Sequence, residues 1–223
     1  MSLISPQPAT VDARLQHFLN EVARLTSNRK VRPVVTPSGK RARGRFPSIK
    51  SPGPARYESL LEKDVLRVFE VCATVRRVST HPVVLALPGA KVMHYTPDVQ
   101  IEWETGGALV ETKASYFIKK AESRRRLQEM VRRLAKEGLR LVLITEQDIR
   151  RTGFQDELKE LLRIRPRVGR YRPSIDPTVW DPLRPSAVDP DLERRWRSAQ
   201  QECDQLLLRV MRRDPDDLIA AMR

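Results

Sequence analysis

A segment that alternates apolar and polar residues, interrupted by a glycine-containing turn, constrains the fold of this chain more than any other feature. Residues 94–103 and 108–113 alternate in this way on either side of Glu104-Thr105-Gly106-Gly107. Side chains alternate between the two faces of a β-strand, and a short loop with glycine joins antiparallel neighbours. The pattern therefore predicts a β-hairpin with a four-residue loop, in which Trp103 lies opposite Ala108.

The two faces of this predicted hairpin carry different residue types. With Ile101 opposite Val110, the face expected to join the core carries five apolar side chains: Val99, Ile101, Trp103, Ala108 and Val110. The other face carries five polar side chains: Asp98, Gln100, Glu102, Glu111 and Lys113. In this register Asp98 lies opposite Lys113, and Glu111 lies diagonally within reach.

Asp98, Glu111 and Lys113 are residue types that magnesium-dependent phosphodiester cleavage uses. Carboxylate oxygens are hard ligands for a small, hard cation. A lysine can position or deprotonate the attacking water, or offset charge at the phosphorus. The alternative is an ordinary solvated strand face, on which a Glu-x-Lys pattern is common. The hairpin alone leaves both interpretations open.

The charge of the chain predicts a polyanionic partner, with nucleic acid as the first candidate. There are 42 lysines and arginines against 28 acidic residues, which gives a net charge of +14. Between positions 29 and 50 no residue is acidic, and eight are basic: Arg29, Lys30, Arg32, Lys40, Arg41, Arg43, Arg45 and Lys50. We expect these eight to contact DNA phosphates; the alternative is a solvated linker.

Cysteine content and hydropathy indicate the cellular compartment in which this protein is expected. Two cysteines, Cys72 and Cys203, are too few for a disulfide framework or a zinc cluster. The N-terminus has no apolar signal core, and no apolar run approaches the roughly 20 residues that span a bilayer. These features predict a cytoplasmic, nucleoid-associated protein.

The order of predicted elements indicates an α/β fold with a mixed central sheet flanked by helices. Its elements are a helix that begins at Ser59, an apolar run at residues 83–87, the hairpin, a helix over 120–137 and an apolar strand over 139–144. The predicted organisation is an N-terminal helix with a basic Pro/Gly-rich arm (1–56), the core (57–165), a connector with six prolines (166–190) and a helical C-terminal tail (191–223). The tail is expected to be a docking element.

Glu62 has two possible roles. Ser59-Leu60-Leu61-Glu62 fits a capping box, in which Glu62 reaches back to the Ser59 amide. Alternatively, Glu62 projects from the first core helix towards Asp98 and Glu111 as a third acidic residue. The residues themselves leave both roles open.

Four segments, in this order and spacing, resemble the TnsA family, the endonuclease subunits of heteromeric cut-and-paste bacterial transposons. They are Arg43-Gly44-Arg45-Phe46-Pro47-Ser48, Tyr57-Glu58-Ser59-Leu60-Leu61-Glu62-Lys63-Asp64, His94-Tyr95-Thr96-Pro97-Asp98 and Val110-Glu111-Thr112-Lys113. The resemblance covers residues 43–148, close to half of the chain. One departure is His81, because the family often has glutamine before the corresponding proline. A second is Glu111, whose family counterpart can be glutamine.

The resemblance implies a restriction-endonuclease-like core and a role for each site residue. Glu62, Asp98 and Glu111 are implied as ligands of one or two Mg²⁺ ions, with Mn²⁺ as a substitute. The Thr112 backbone carbonyl is implied as a further ligand, and Lys113 as the catalytic lysine. The family cuts the 5′ strands of double-stranded DNA at transposon ends.

The resemblance also implies two protein partners. A separate DDE-type transposase cuts and joins the 3′ ends, and an AAA+ regulator contacts the C-terminal region. The alternatives are a stand-alone nuclease of the same fold in restriction or phage DNA processing, and a DNA-binding assembly subunit that does not cut. The intact acidic set with its lysine argues against the non-cutting alternative.

Overall fold

The computed structural model of this chain describes residues 12–31, 42–164 and 190–222. These residues form an α/β fold, as the sequence predicted. The helices are α1 (Ala13–Leu25), α2 (Leu60–Val71), α3 (Ser115–Lys119), α4 (Ala121–Lys136), α5 (Glu146–Ile149), α6 (Phe154–Ile164), α7 (Pro190–Arg212) and α8 (Pro215–Ala221). The strands are β1 (Gly44–Phe46), β2 (Ala55–Tyr57), β3 (Arg77–Thr80), β4 (Leu85–Leu87), β5 (Met93–Tyr95), β6 (Val99–Trp103), β7 (Gly106–Thr112) and β8 (Leu141–Ile144).

The main sheet is mixed, with the strand order β3-β6-β7-β8. The first three strands are antiparallel to their neighbours, whereas β8 runs parallel to β7. Parallel pairing requires a crossover connection, which α3 and α4 supply. Two smaller antiparallel sheets, β1-β2 and β4-β5, complete the strands of the described residues. The predicted mixed sheet flanked by helices is confirmed.

The hairpin has a different register from the predicted one. Trp103 pairs with Gly106, so the loop contains only Glu104 and Thr105, and the four-residue loop is wrong. The shift is by two residues, and a shift by an even number leaves every side chain on its expected face. The apolar face predicted for β6 and β7 is therefore confirmed: Val99, Ile101, Ala108 and Val110 are buried in one core cluster, and Trp103 packs against it.

Helix α1 packs on the other face of the main sheet. Its residues Leu15, Phe18 and Val22 are buried in a second core cluster with Leu109 of β7. A Cβ atom added at Gly107 would lie 2.3 Å from the Phe18 ring, so the glycine permits this close approach. Three residues of the predicted polar face of the hairpin are buried on this side of the sheet: Gln100, Glu102 and Glu111.

Helix α7 forms part of the first core cluster. The stripe predicted from its spacing is buried there and consists of Trp196, Cys203, Leu206, Leu207 and Val210. Asp204 also accepts hydrogen bonds from Cys72 Sγ and the Thr74 amide, both at 2.9 Å. The apolar face of the tail is thus occupied within this chain, and the expected docking role of the tail stays a prediction. The predicted connector lies outside the described residues except for Pro190.

The C-terminal part of the predicted basic arm belongs to the core. Strands β1 and β2 pair with each other, and Phe46 and Ala55 are buried in the first cluster. Between these strands, Lys50 is 4% exposed and donates from Nζ to the carbonyl oxygens of Phe69 and Cys72.

No helix within the described ranges is long and apolar enough to cross a membrane.

Candidate active site

Asp98 and Glu111 are brought together by the pairing of β6 with β7. Val99, the residue after Asp98, pairs with Val110, the residue before Glu111. Asp98 Oδ2 accepts hydrogen bonds from the Thr112 amide and from Thr112 Oγ1, both at 2.8 Å. Lys113 Nζ lies 3.5 Å from Glu111 Oε1. The predicted pairing of Asp98 with Lys113 is therefore shifted along the strand, but the three side chains share one site.

Glu62 approaches this site from the first turn of α2. Its Oε1 accepts a hydrogen bond from Ser59 Oγ at 3.0 Å, and its Oε2 accepts one from the Glu58 amide at 2.7 Å. Ser59 Oγ in turn accepts a bond from the Glu62 amide at 3.1 Å. Glu62 thus caps the helix, although through the Glu58 amide and not the predicted Ser59 amide. The same carboxylate lies near Asp98 through His81, whose Nε2 is 3.9 Å from Glu62 Oε2 and whose backbone amide donates to the Asp98 carbonyl.

The three carboxyl groups are held in an environment that disfavours their charged forms. Burial, followed by the charge of Asp98, raises the pKa of Glu62 to about 7 and that of Glu111 to about 8. Burial also raises the pKa of Asp98, against the opposing hydrogen bonds from Thr112. Since desolvation and mutual repulsion both favour protonation, a nearby positive charge would stabilise the ionised set. Lys113 supplies part of that charge.

Tyr95 and Lys113 contact different oxygen atoms of the Glu111 carboxylate. Its hydroxyl donates to Glu111 Oε2 at 2.9 Å, whereas Lys113 lies near Oε1. Burial and the charge of Glu111 raise the pKa of Tyr95 well above its ordinary value, so the phenol stays protonated and donates. Glu111 is therefore oriented through both of its oxygens.

A divalent cation fits the chemistry of this site, although the carboxylates are not arranged as a ready-made cage. Among the described residues, no group of three or more His, Cys, Asp or Glu side chains is positioned to hold a metal ion. The available donors are nevertheless hard carboxylate oxygens, which suit Mg²⁺, and a bound cation would offset the burial that raises their pKa values. The residues that would hold the ion are Glu62, Asp98 and Glu111, and a contribution from the Thr112 carbonyl stays a prediction.

Asp98 and Glu111, but not Glu62, line a cleft of about 470 Å³. Its charged lining combines the two sheet carboxylates with four basic side chains: Asp98, Glu111, Arg29, Lys30, Lys113 and Arg126. Two members of the predicted DNA-contacting set, Arg29 and Lys30, are thus placed at the site.

The other six residues of that set either do not line the cleft or lie outside the described residues. Arg43 and Arg45 lie on or beside β1 and are not among the residues that line the cleft. Lys50 leaves the set, because its ammonium group faces the protein interior and donates to backbone carbonyls. Arg32, Lys40 and Arg41 lie outside the described residues.

Besides Tyr95, two residues at the site were not predicted from the sequence. Arg126 was placed on a helix but not at the site, and only its position on α4 beside the sheet reveals it. His81 was noted only as a departure from the family pattern. Its backbone amide donates to the Asp98 carbonyl at 3.0 Å, and its Nε2 lies 3.9 Å from Glu62 Oε2. Its φ of 47° is left-handed, a conformation that a non-glycine residue rarely adopts.

Comparison with known proteins assigns no role to the residues of this site. No protein-family model matches the chain, and no curated protein matches it. What the structure defines is an acidic cluster with one adjacent lysine, at the base of a cleft with basic walls.

Proposed function

We propose that this chain is a Mg²⁺-dependent DNA endonuclease with a restriction-endonuclease-like core. The observation that carries the proposal is the meeting of Asp98, Glu111 and Lys113 at one end of two paired strands, with Glu62 of α2 linked to them through His81. The basic lining of the adjoining cleft suits a phosphodiester substrate.

Each side chain has a defined task in this proposal. Mg²⁺ held by Glu62, Asp98 and Glu111 would supply Lewis acidity at the phosphate and lower the pKa of water. Thr112 fixes the orientation of Asp98, and Tyr95 fixes that of Glu111. Lys113 orients the attacking water and offsets negative charge at the phosphorus. The water oxygen bonds to phosphorus and the bond to O3′ breaks, which leaves 3′-hydroxyl and 5′-phosphate ends.

The resemblance to the TnsA family supplies the biological setting of the proposal. In that setting the chain cuts the 5′ strands at transposon ends, beside a DDE-type transposase and an AAA+ regulator. A regulator that contacts the C-terminal region would have to use the outer surface of α7, where Leu208 is 53% exposed, because the inner face is buried. A non-cutting role is disfavoured, since all four catalytic candidates are present and three share one cleft.

End-group analysis of DNA cut in Mg²⁺ or Mn²⁺ tests this proposal. The chain is incubated with a plasmid that carries a transposon end, together with a DDE-type transposase of the kind that the proposal requires. We expect 5′-strand nicks that DNA ligase reseals, because the ends are 3′-hydroxyl and 5′-phosphate, and no nicks in EDTA. Cleavage that persists in EDTA, or no cleavage in the complete system, contradicts the proposal.

Replacing Glu62 by glutamine separates catalysis from helix capping. Glutamine keeps an acceptor oxygen for Ser59 Oγ or the Glu58 amide but removes the negative charge. We expect cleavage to fall by about 10²-fold or more, the scale of one lost electrostatic contributor, with a melting temperature at or above that of the wild type. If Glu62→Gln stays active while Glu62→Ala loses stability, Glu62 is a cap only.

The stability of the metal-free protein is expected to fall as the pH rises from about 4.5 to 8. The pKa of Glu111 is raised from 4.5 to about 8 on folding, so its stabilising effect is complete below pH 4.5 and is lost as pH rises through about 8. One pKa unit corresponds to about 1.4 kcal/mol, and 1 kcal/mol moves the melting temperature of a chain of this size by roughly 2–4 °C.

Thermal melts in EDTA at pH 5.5 and pH 8 measure this effect. We expect a drop of roughly 5 °C or more at the higher pH, most of which Glu111→Gln removes. Mg²⁺ should raise the melting temperature more at pH 8 than at pH 5.5, because it binds the ionised carboxylates. Equal melting temperatures for wild type and Glu111→Gln at both values of pH would contradict the assignment.

A further inference from the structure

The cleft beside the acidic residues has walls of opposite charge. Asp98 and Glu111 line it from the sheet, whereas Arg29 and Lys30 line it from the segment after α1. Arg126 lines it from α4. An acidic site repels a phosphodiester, so a nearby wall of cations lowers the cost of bringing the substrate to it.

The three cationic side chains of this wall are available to bind an anionic ligand. Throughout residues 12–31, 42–164 and 190–222, no acidic side chain forms an ion pair with Arg29, Lys30 or Arg126. Other arginines of the same surface are paired within the chain, among them Arg24 with Glu21 and Glu137, and Arg133 with Glu129. The cleft arginines therefore differ from the arginines that have structural partners.

Helix α4 presents Arg126 to the cleft together with Ser123. These residues are three positions apart and so share one face of the helix, and both line the cleft. A planar guanidinium with fixed donors, assisted by a hydroxyl, matches the paired oxygens of a phosphate. Arg125, the preceding residue, is exposed but is not among the cleft-lining residues.

We propose that Arg126, with Ser123, Arg29 and Lys30, forms a binding site for the DNA backbone phosphate next to the scissile one. The proposal rests on the proposed nuclease function and adds where the substrate strand lies, between α4 and the segment that follows α1. Arg126 acts here as a positioning residue, because it holds a neighbouring phosphate and does not touch the reacting atoms. A contact of this kind recognises the backbone and not the base sequence.

The test compares Arg126→Ala with its neighbour Arg125→Ala in full-length protein. Binding of a fluorescein-labelled 20-base-pair duplex is followed by anisotropy in EDTA, over a series of salt concentrations. We expect Arg126→Ala to weaken binding about 5–10-fold and to reduce the slope of log K against log salt by about 0.9. We expect Arg125→Ala to stay within about twofold of the wild type in affinity, since surface contacts of this kind contribute little when the phosphate is distant.

Two outcomes overturn the proposal. The first is the same Kd and salt slope for the two variants; the second is a loss for Arg126→Ala that is confined to one duplex sequence, which indicates base contacts. Because binding is measured without cleavage, its result is independent of the nuclease assignment. If Asp98 proves dispensable for cutting, the proposed function fails on its own. If cutting needs Asp98 but Arg126→Ala binds like Arg125→Ala, only the phosphate site fails.

Discussion

Replacement of Asp98 by asparagine is expected to lower the rate of Mg²⁺-dependent strand cleavage by about 10³-fold, the upper end for one lost electrostatic contributor. Asparagine retains an oxygen that accepts from the Thr112 amide, so the local hydrogen bonding is preserved. What it loses is the negative charge that the site needs to bind a cation. The measurement is single-turnover cleavage of an end-labelled duplex, with a melting curve recorded on the same protein.

Glu102→Gln is the matched control for this variant. Glu102 is a buried carboxylate of β6 on the same side of the sheet as Asp98 and accepts a hydrogen bond from Gln100 at 3.0 Å. It does not line the cleft. We expect Glu102→Gln to cleave DNA at a rate within about threefold of the wild type. A side chain that does not approach the scissile phosphate contributes little to stabilising the charge of the transition state. Wild-type cleavage by Asp98→Asn removes Asp98 from the mechanism.

Replacement of Lys113 by alanine is expected to lower the cleavage rate by about 10²-fold or more, the usual contribution of a positioned acid/base group. The Lys113 side chain is 38% exposed at the cleft and contacts Glu111 at 3.5 Å, so its ammonium group reaches both water and the carboxylate set. Binding of DNA in EDTA should change much less than the rate, because one surface charge of several is removed. Single-turnover rates and anisotropy, measured side by side, separate the two effects.

Lys119→Ala serves as the control for Lys113. It removes a lysine of α3, six positions further along, that does not line the cleft. We expect this variant to cleave like the wild type. A rate for Lys113→Ala within about threefold of that of Lys119→Ala, far short of an acid/base contribution, makes Lys113 an ordinary surface lysine.

Local sequence determined much of the fold because the relevant signals are short-range. Ser59 caps α2 at the predicted position, and Gly138 ends α4 with a φ of 73°. At the start of α5, Thr145 and Asp148 form a capping box. Each signal depends on a side chain and a backbone group within a few residues, so no knowledge of tertiary contacts was needed.

The hairpin register was missed because glycine fits either a turn or a strand. Gly106 and Gly107 satisfied a four-residue loop as well as an extended strand, and the local pattern did not distinguish them. The packing of Phe18 against Gly107 is a tertiary contact between residues far apart in sequence. The predicted grouping of the acidic side chains on one face was kept, because the register moved by two residues.

The fate of the basic residues depended on long-range packing. Lys50 belongs to the same basic segment of the sequence as the other predicted DNA-contacting residues. Its burial between β1 and β2 nevertheless directs its ammonium group to the backbone carbonyls at the end of α2. Arg29 reaches the cleft only because α1 docks on β7, and Arg126 only because α4 covers the same face. Charge density in a sequence identifies a class of partner, whereas the folded chain determines which charges face it.

Binding of Mn²⁺ to the carboxylate set tests the central claim most directly, because it needs neither DNA nor partner proteins. Free Mn²⁺ is followed by electron paramagnetic resonance as the ion is titrated into wild type, Asp98→Asn and Glu102→Gln at pH 8, where Glu111, with a pKa of about 8, is substantially ionised. We predict one or two bound ions in the wild type and in Glu102→Gln, and at least about tenfold weaker binding in Asp98→Asn, as expected when a ligand is lost. Identical isotherms for the three proteins contradict a metal site at Asp98.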